Sequence, residues 1–258
     1  MMSKKILDLN VDMGESFGAY RMGSDEEVIQ YISSANVACG LHAGDPHVMR
    51  KTVSMAKAHG VAIGAHPGLP DLIGFGRRDL KVSPDELKDY FVYQIGALKA
   101  FVEAAGMRLQ HVKQHGALLK MALEDEALGL AMAEATKEVS PELIFVTHSG
   151  ISLVDIARGI GLRVAREAYA DRAYHQDKTL VSRKLKGSVI KDPEQIKARI
   201  QQLMKTGTVT TIEGKTLELE FDTIALHGDT PGASEIIRTI RKKLDELGVT
   251  IKPMAEIC

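Results

Sequence analysis

Histidine followed by a small residue closes five strand-like runs along this chain: CGLHAGD (His42), IGAHPG (His66), VKQHGA (His115), FVTHSG (His148) and ALHGDT (His227). Imidazoles at such positions can carry protons near neutral pH or ligate a metal. Acidic groups accompany them. In KILDLNVD, Asp8, Asn10 and Asp12 share one parity, and Glu15 follows just beyond. Two carboxylates on one strand face are costly to bury without partners, which points to chemistry rather than packing. Asp12 is the first choice for a general base, while Asp8 lies deeper and supports the site. Lys113 and His115 share a parity opposite Val112. Desolvation would draw the pKa of an inward lysine down toward a catalytic range, while Asp12 or Glu15 across a closed barrel would favour its charged form.

His42 with Asp45, and His227 with Asp229, form His-x-x-Asp and His-x-Asp arrangements, in which a carboxylate could orient an imidazole for acid–base work. His148 shares its parity with Ile144 and Val146 and reads as a turn hydrogen-bonder. Asp12, His42 and His66 could also hold a divalent metal, although no His-x-x-x-His or Glu-x-x-His spacing supports this locally. The sequence leaves metal binding open. PDLIGFGRRD, with Gly74, Gly76, Arg77 and Arg78, fits a mobile lid that grips an anion. EAYADRAYH places Glu167, Asp171 and Arg172 in a second loop with the same logic. EGKT at 213–216 ends like a phosphate loop, but Val209 stands where glycine is required, so no nucleotide motif is present.

These residues need a scaffold that gathers strand ends at one place. Side chains alternate along a strand, so each run presents one apolar face and one small or polar face. Strands are expected at 5–12, 35–41, 61–65, 109–114, 143–147, 162–166 and 223–227, with a last one at 249–252. Helices alternate with them. Capping-box sequences mark starts at Ser24–Glu27 and Ser83–Glu86, and Asp45-Pro46 and Asp192-Pro193 open two more. Gly60, Gly106 and Gly248 close helices. The expectation is an α/β parallel β/α barrel of seven or eight strands with its site at the C-terminal mouth. Periodicity alone does not exclude an open doubly wound sheet. TVTTIEGKTLELEF, at 207–220, reads as a β-hairpin inserted into the single domain spanning 1–258.

The 258 residues match one such barrel. A net charge of −1 offers no footprint for nucleic acid or an anionic membrane, and no apolar run is long enough to span one. Two cysteines make no disulfide framework, and the chain reads as cytoplasmic.

Six blocks in order, DLNVDMGE, ANVACGLHAGDP, GAHPGLPDLIGFGRRD, VKQHGALL, EAYADRAY and LHGDTPGA, closely resemble the LamB/YcsF family, which includes the A subunit of bacterial 5-oxoprolinase. The resemblance runs from about residue 5 to 250. It implies a barrel of the glycoside hydrolase and deacetylase type. The implied activity is ATP-dependent opening of 5-oxo-L-proline to L-glutamate, with separate B and C subunits. ATP is the implied cofactor, used with those subunits, and a divalent ion such as Mg²⁺ could accompany it. A homo-oligomer stays open. The motif positions carried over are Asp8, Asn10, Asp12, Gly14, Glu15, His42, Gly44, Asp45, His66, Arg77, Arg78, Lys113, His115, Asp171, Arg172, His227 and Asp229. Of these, Asp12, His42, Lys113 and His115 would be catalytic. Asn10, Glu15, Asp45, His66, Arg77, Arg78, Glu167, Asp171, Arg172, His227 and Asp229 would bind the lactam. The family more often reads VKPHGALYN, so Gln114 stands here for proline, and Leu119 and Lys120 for tyrosine and asparagine. Two other activities would use the same residues: a metal-dependent deacetylase, and a subunit that only carries substrate.

Overall fold

The computed structural model describes residues 6–229 and 232–258. Lys5, at the start of the first expected strand, and Thr230 and Pro231, in the LHGDTPGA block, lie outside them. Seven parallel strands form the barrel: β1 (Ile6–Met13), β2 (Ser34–Ala38), β3 (Ala62–His66), β4 (Leu109–Lys113), β5 (Ile144–His148), β6 (Arg163–Tyr169) and β9 (Thr223–Leu226). β1 pairs with β2 on one side and with β9 on the other. That pairing closes the sheet and removes the open-sheet alternative. The short β10 (Thr250–Ile251) pairs only with the start of β1 and is not a stave of the barrel. β7 (Thr208–Thr210) and β8 (Thr216–Glu218) form a separate antiparallel hairpin, anchored by buried Val209 and Leu217.

Eight helices accompany the strands among the described residues: α1 (Asp25–Val28), α2 (Pro46–His59), α3 (Pro84–Ala104), α4 (Ala117–Glu124), α5 (Glu126–Val139), α6 (Ser152–Gly159), α7 (Pro193–Thr206) and α8 (Ala233–Glu246). None is long and apolar enough to cross a membrane. The capping box at Ser83 forms in full, and Asp45 and Asp192 cap α2 and α7 from positions before proline. The box read at Ser24 does not form. Its hydroxyl makes no cap bond, and α1 lasts only four residues.

Alternation on β1 fixes what the lumen contains. Leu7, Leu9, Val11 and Met13 are buried in the apolar core, while Asp8, Asn10 and Asp12 face the lumen. The strand ends need two corrections. β2 stops at Ala38, and Gly40 has a φ of 93°, so strand parity does not extend to His42. Ile144 and Val146 do not mark an outward face at β5. They meet Ala165 and Met254 in a small apolar cluster across the barrel floor, which puts His148 on the inward parity as well.

Next to that apolar plug sits a buried carboxylate. Asp8 accepts hydrogen bonds from Ser33 Oγ (2.7 Å), Ser34 Oγ (2.6 Å) and Thr223 Oγ1 (2.5 Å). Burial pushes its pKa up to about 6, against the lowering effect of those three hydroxyls. A carboxyl raised in the folded state contributes stability below its unfolded pKa of about 4 and loses it as pH rises through about 6. Asp8→Asn abolishes this titration. Wild-type stability relative to the variant should therefore fall by about 2 kcal/mol between pH 4 and pH 6.5. Denaturant unfolding across that range measures it, and parallel curves for the two proteins would reject the assignment.

Candidate active site

Lys113, at the end of β4, reaches across the lumen. Its Nζ lies 2.9 Å from Asp12 Oδ1 on β1 and 3.1 Å from Glu167 Oε1 on β6, and all three side chains are buried. Burial pulls the ammonium's pKa down, but the two carboxylates more than offset this and hold it above the ordinary lysine range. Desolvation alone would lower its pKa, but ion pairing with Asp12, expected from the parity of the two strands, outweighs it. For Asp12, burial works upward, while His66 and Lys113 hold the carboxyl well below the usual range.

A layer of amides lies beneath. Asn10 Nδ2 donates to Glu167 Oε1 (3.0 Å) and Thr223 Oγ1 (2.7 Å). Asn36 Nδ2 donates to Asn10 Oδ1 (2.6 Å) and Asp12 Oδ1 (2.8 Å), and its own Oδ1 accepts from His111 Nε2 at 2.8 Å. No sequence motif singles out His111, although it shares the parity of Lys113. Gly64 makes room for it, since a Cβ there would stand 2.1 Å from the imidazole.

Above Asp12 the histidines gather. His66 Nδ1 donates to the Lys113 carbonyl (2.8 Å), and His115 Nε2 donates to the Phe75 carbonyl (2.8 Å). Carbonyls only accept, so both tautomers are fixed. The remaining nitrogens, His66 Nε2 and His115 Nδ1, face each other at 2.9 Å. The His42 ring stacks on His115 with centroids 3.7 Å apart, and neither of its nitrogens has a hydrogen-bond partner. Glu15 is buried beside them. Burial raises its pKa well above the ordinary value, and the charges of Asp12 and Asp229 add to this.

Several expected pairings are different. Asp45 does not orient His42, because its carboxylate caps α2 by accepting from His47 N and Val48 N. His227 Nδ1 pairs with Asp171 (3.0 Å) rather than Asp229, which instead binds Arg77 (2.8 Å). Glu167 lies within β6 and not in the loop after it. Arg172 is buried and donates to the Ser188 and Val181 carbonyls, which braces the loop. Arg78 is held by Asp71. The glycine-bearing loop is anchored here by Arg78 and by a backbone bond to α4. Gly76 O accepts from Ala117 N, and Gly76 sits at φ 60° against the His42 and His115 side chains. Arg77 lies over the Phe75 ring at the mouth. Arg183, which no motif marks, is close enough to Arg77, Asp229 and Asp171 to feel their charges. Gln114 donates to Thr147 Oγ1, and Lys120 points away to Asp79 at the surface.

The LamB/YcsF family model matches residues 7–258. The 5-oxoprolinase A subunit of Pyrococcus furiosus is 54% identical over 250 residues, covering 97% of this chain and 98% of that protein. The corresponding A subunit of Clostridium beijerinckii is 51% identical over 251 residues, covering 97% and 98%. The crystal structure of the lactam utilization protein from Thermus thermophilus superposes with a TM-score of 0.91 at 44% identity, covering 96% of this chain and 99% of that one. More distantly, the fold alone is shared with the Bc1960 peptidoglycan N-acetylglucosamine deacetylase, with a TM-score of 0.52 at 12% identity.

Removing Lys113 would leave two buried carboxylates without their cation. Lys113→Met should lower unfolding free energy by about 3–5 kcal/mol, the cost of breaking one partner out of a buried pair. Adding Glu167→Gln should restore part of the loss, because one stranded charge is then gone. A single variant as stable as wild type, or a double variant no better than the single, would contradict the central role of this ion pair.

Proposed function

Because the chain belongs to the LamB/YcsF family, we propose that it works as the A subunit of a 5-oxoprolinase, opening the lactam ring of 5-oxo-L-proline by hydrolysis to L-glutamate. The observation that carries this is the Asp12–Lys113–Glu167 triad at the floor of a polar, one-sided mouth. Water adds to the lactam carbonyl carbon, the ring C–N bond breaks, and the nitrogen leaves with a proton. Asp12 takes the proton from water and returns it to the nitrogen. Lys113 positions Asp12 and keeps it ionised. Arg77, at the rim, would meet the substrate carboxylate.

A carboxylate held well below its usual pKa is a weak base, and a five-membered lactam is an unactivated amide. Transfer of the ATP γ-phosphoryl group to the carbonyl oxygen, with ADP leaving, would lower the demand on that base. Water addition and C–N cleavage then give an acyl phosphate, which a second water hydrolyses to L-glutamate and phosphate. ATP dependence therefore belongs to the proposal. The chain has no phosphate-loop motif, and we place nucleotide binding largely on partner subunits, the B and C subunits of such an enzyme. A chain with only two cysteines, Cys39 and Cys258, suits a reducing, cytoplasmic setting.

The direct test is ATP-dependent turnover of 5-oxoproline by this chain with and without its partner subunits. Asp12→Asn should reduce turnover by about 10²-fold or more while the protein stays folded. Near-normal turnover in the folded variant would remove Asp12 from the role of base, and no turnover by the wild-type assembly would remove the activity.

The two loop arginines should separate. Arg77→Gln should raise KM for 5-oxoproline with little change in Tm, since its contacts are with Asp229 and Phe75 at the rim. Arg78→Gln should lower Tm, because it frees the buried Asp71 carboxylate. The reverse pattern would assign the two roles the other way round.

A further inference from the structure

Four side chains at the mouth are not fully used by the hydrolysis scheme: Glu15, His42, His66 and His115. One donor atom from each lies within 4.8 Å of the others, and all four residues are buried. Three separate observations bear on what they do. The protons of His66 and His115 are committed to backbone carbonyls, so the 2.9 Å between His66 Nε2 and His115 Nδ1 brings lone pair against lone pair. That contact is repulsive unless something electropositive sits beside it. Two imidazole nitrogens, each about 2.0–2.1 Å from a shared ion in neighbouring positions, stand roughly 3 Å apart. His42 has both ring nitrogens buried and unpartnered, which is rare for a buried polar group. Its surroundings are cut to fit an imidazole, since a Cβ on Gly68 would stand 2.4 Å from His42 Nδ1.

We propose that Glu15, His42, His66 and His115 form a binding site for one divalent first-row transition metal, with His66 Nε2 and His115 Nδ1 as its fixed pair of ligands. Three imidazoles and one carboxylate suit zinc, or its neighbours in that row, rather than magnesium or calcium. His42 lies parallel to His115 and completes the set by turning about its Cβ–Cγ bond, a soft torsion in imidazoles. The carbonyls of Lys113 and Phe75 act as outer partners that fix ligand tautomers, a recurrent feature of metal-bound histidine. Asp12 is left outside the set because its Oδ1 is committed to Lys113 and Asn36, while its Oδ2, 3.5 Å from His66 Nε2, borders the site. A single proton shared between His66 and His115 would relieve their contact. It would leave the two nitrogens of His42 without a partner, so a metal accounts for more of the site. Its role there, polarising the lactam carbonyl, rests on the function proposed above.

The test is zinc binding by the purified full chain after chelator treatment, read by equilibrium dialysis and metal analysis without substrate or nucleotide. The wild type should bind one zinc per chain. His66→Ala and His42→Ala should each weaken binding by about 100-fold or more, beyond what loss of an outer partner alone produces. The shape-conserving Glu15→Gln, checked for folding by circular dichroism, should weaken it as well. His47→Ala, on the exposed start of α2, should leave it unchanged. Cobalt substitution should give visible absorption that His42→Ala removes. Wild-type binding no tighter than that of the His66 and His42 variants would overturn the site. Stoichiometric zinc with no 5-oxoproline turnover would keep the site and sink only the proposed reaction. Full turnover by metal-free protein would sink the polarising role alone and not the binding that dialysis measures.

Discussion

One ammonium group sets the terms for this barrel. Lys113 comes from β4, while its two counter-charges come from β1 and β6, so three strands distant in sequence must hold register for the lumen to be tolerable. A lysine and two carboxylates cannot be buried singly at acceptable cost. They are stable only together, with Asn10 and Asn36 donating further hydrogen bonds to Glu167 Oε1 and Asp12 Oδ1. A slip of one residue in any of these strands would turn its charge toward the helices. The register that the ion pair demands is also the one that brings Asp12, His66 and His115 to one mouth.

Much of this is legible in alternation. The inward face of β1 and the parity of Lys113 depend only on strand geometry, and the caps at Ser83, Asp45 and Asp192 depend on local chemistry. What alternation hides is set by tertiary contacts. Ile144 and Val146 resemble an outward face, because a sequence does not announce that a lumen needs an apolar floor. His111 belongs to no motif, and only its parity with Lys113 points inward. Parity turns His42 toward the site for the wrong reason, since the strand ends at Ala38 and it is the turn that follows which delivers the imidazole there. Adjacency in sequence misleads in the same way. Asp229 lies two residues from His227 but binds Arg77, and Asp171, from the far end of β6, holds the imidazole.

The loop carrying Arg77 and Arg78 illustrates how backbone can set side-chain chemistry. Its Phe75 carbonyl fixes the tautomer of His115, while Asp71 and Arg78 lock its shape. An element rich in glycine can thus be rigid when its glycines serve close approach and not motion. Here Gly76 admits the imidazoles of His42 and His115, and a side chain in its place would press on both.

The apolar floor has its own consequence. Met254, from the short turn after β10, closes the lumen together with Ile144, Val146 and Ala165, so the barrel is a blind cup and not a tube. Whatever enters must leave through the same opening, and product must clear before the next molecule settles. The terminal Cys258 lies beside the floor, at the pole opposite the mouth. Tethering the protein to a surface through that end would leave every molecule facing outward with its opening toward solvent, an orientation written into the topology.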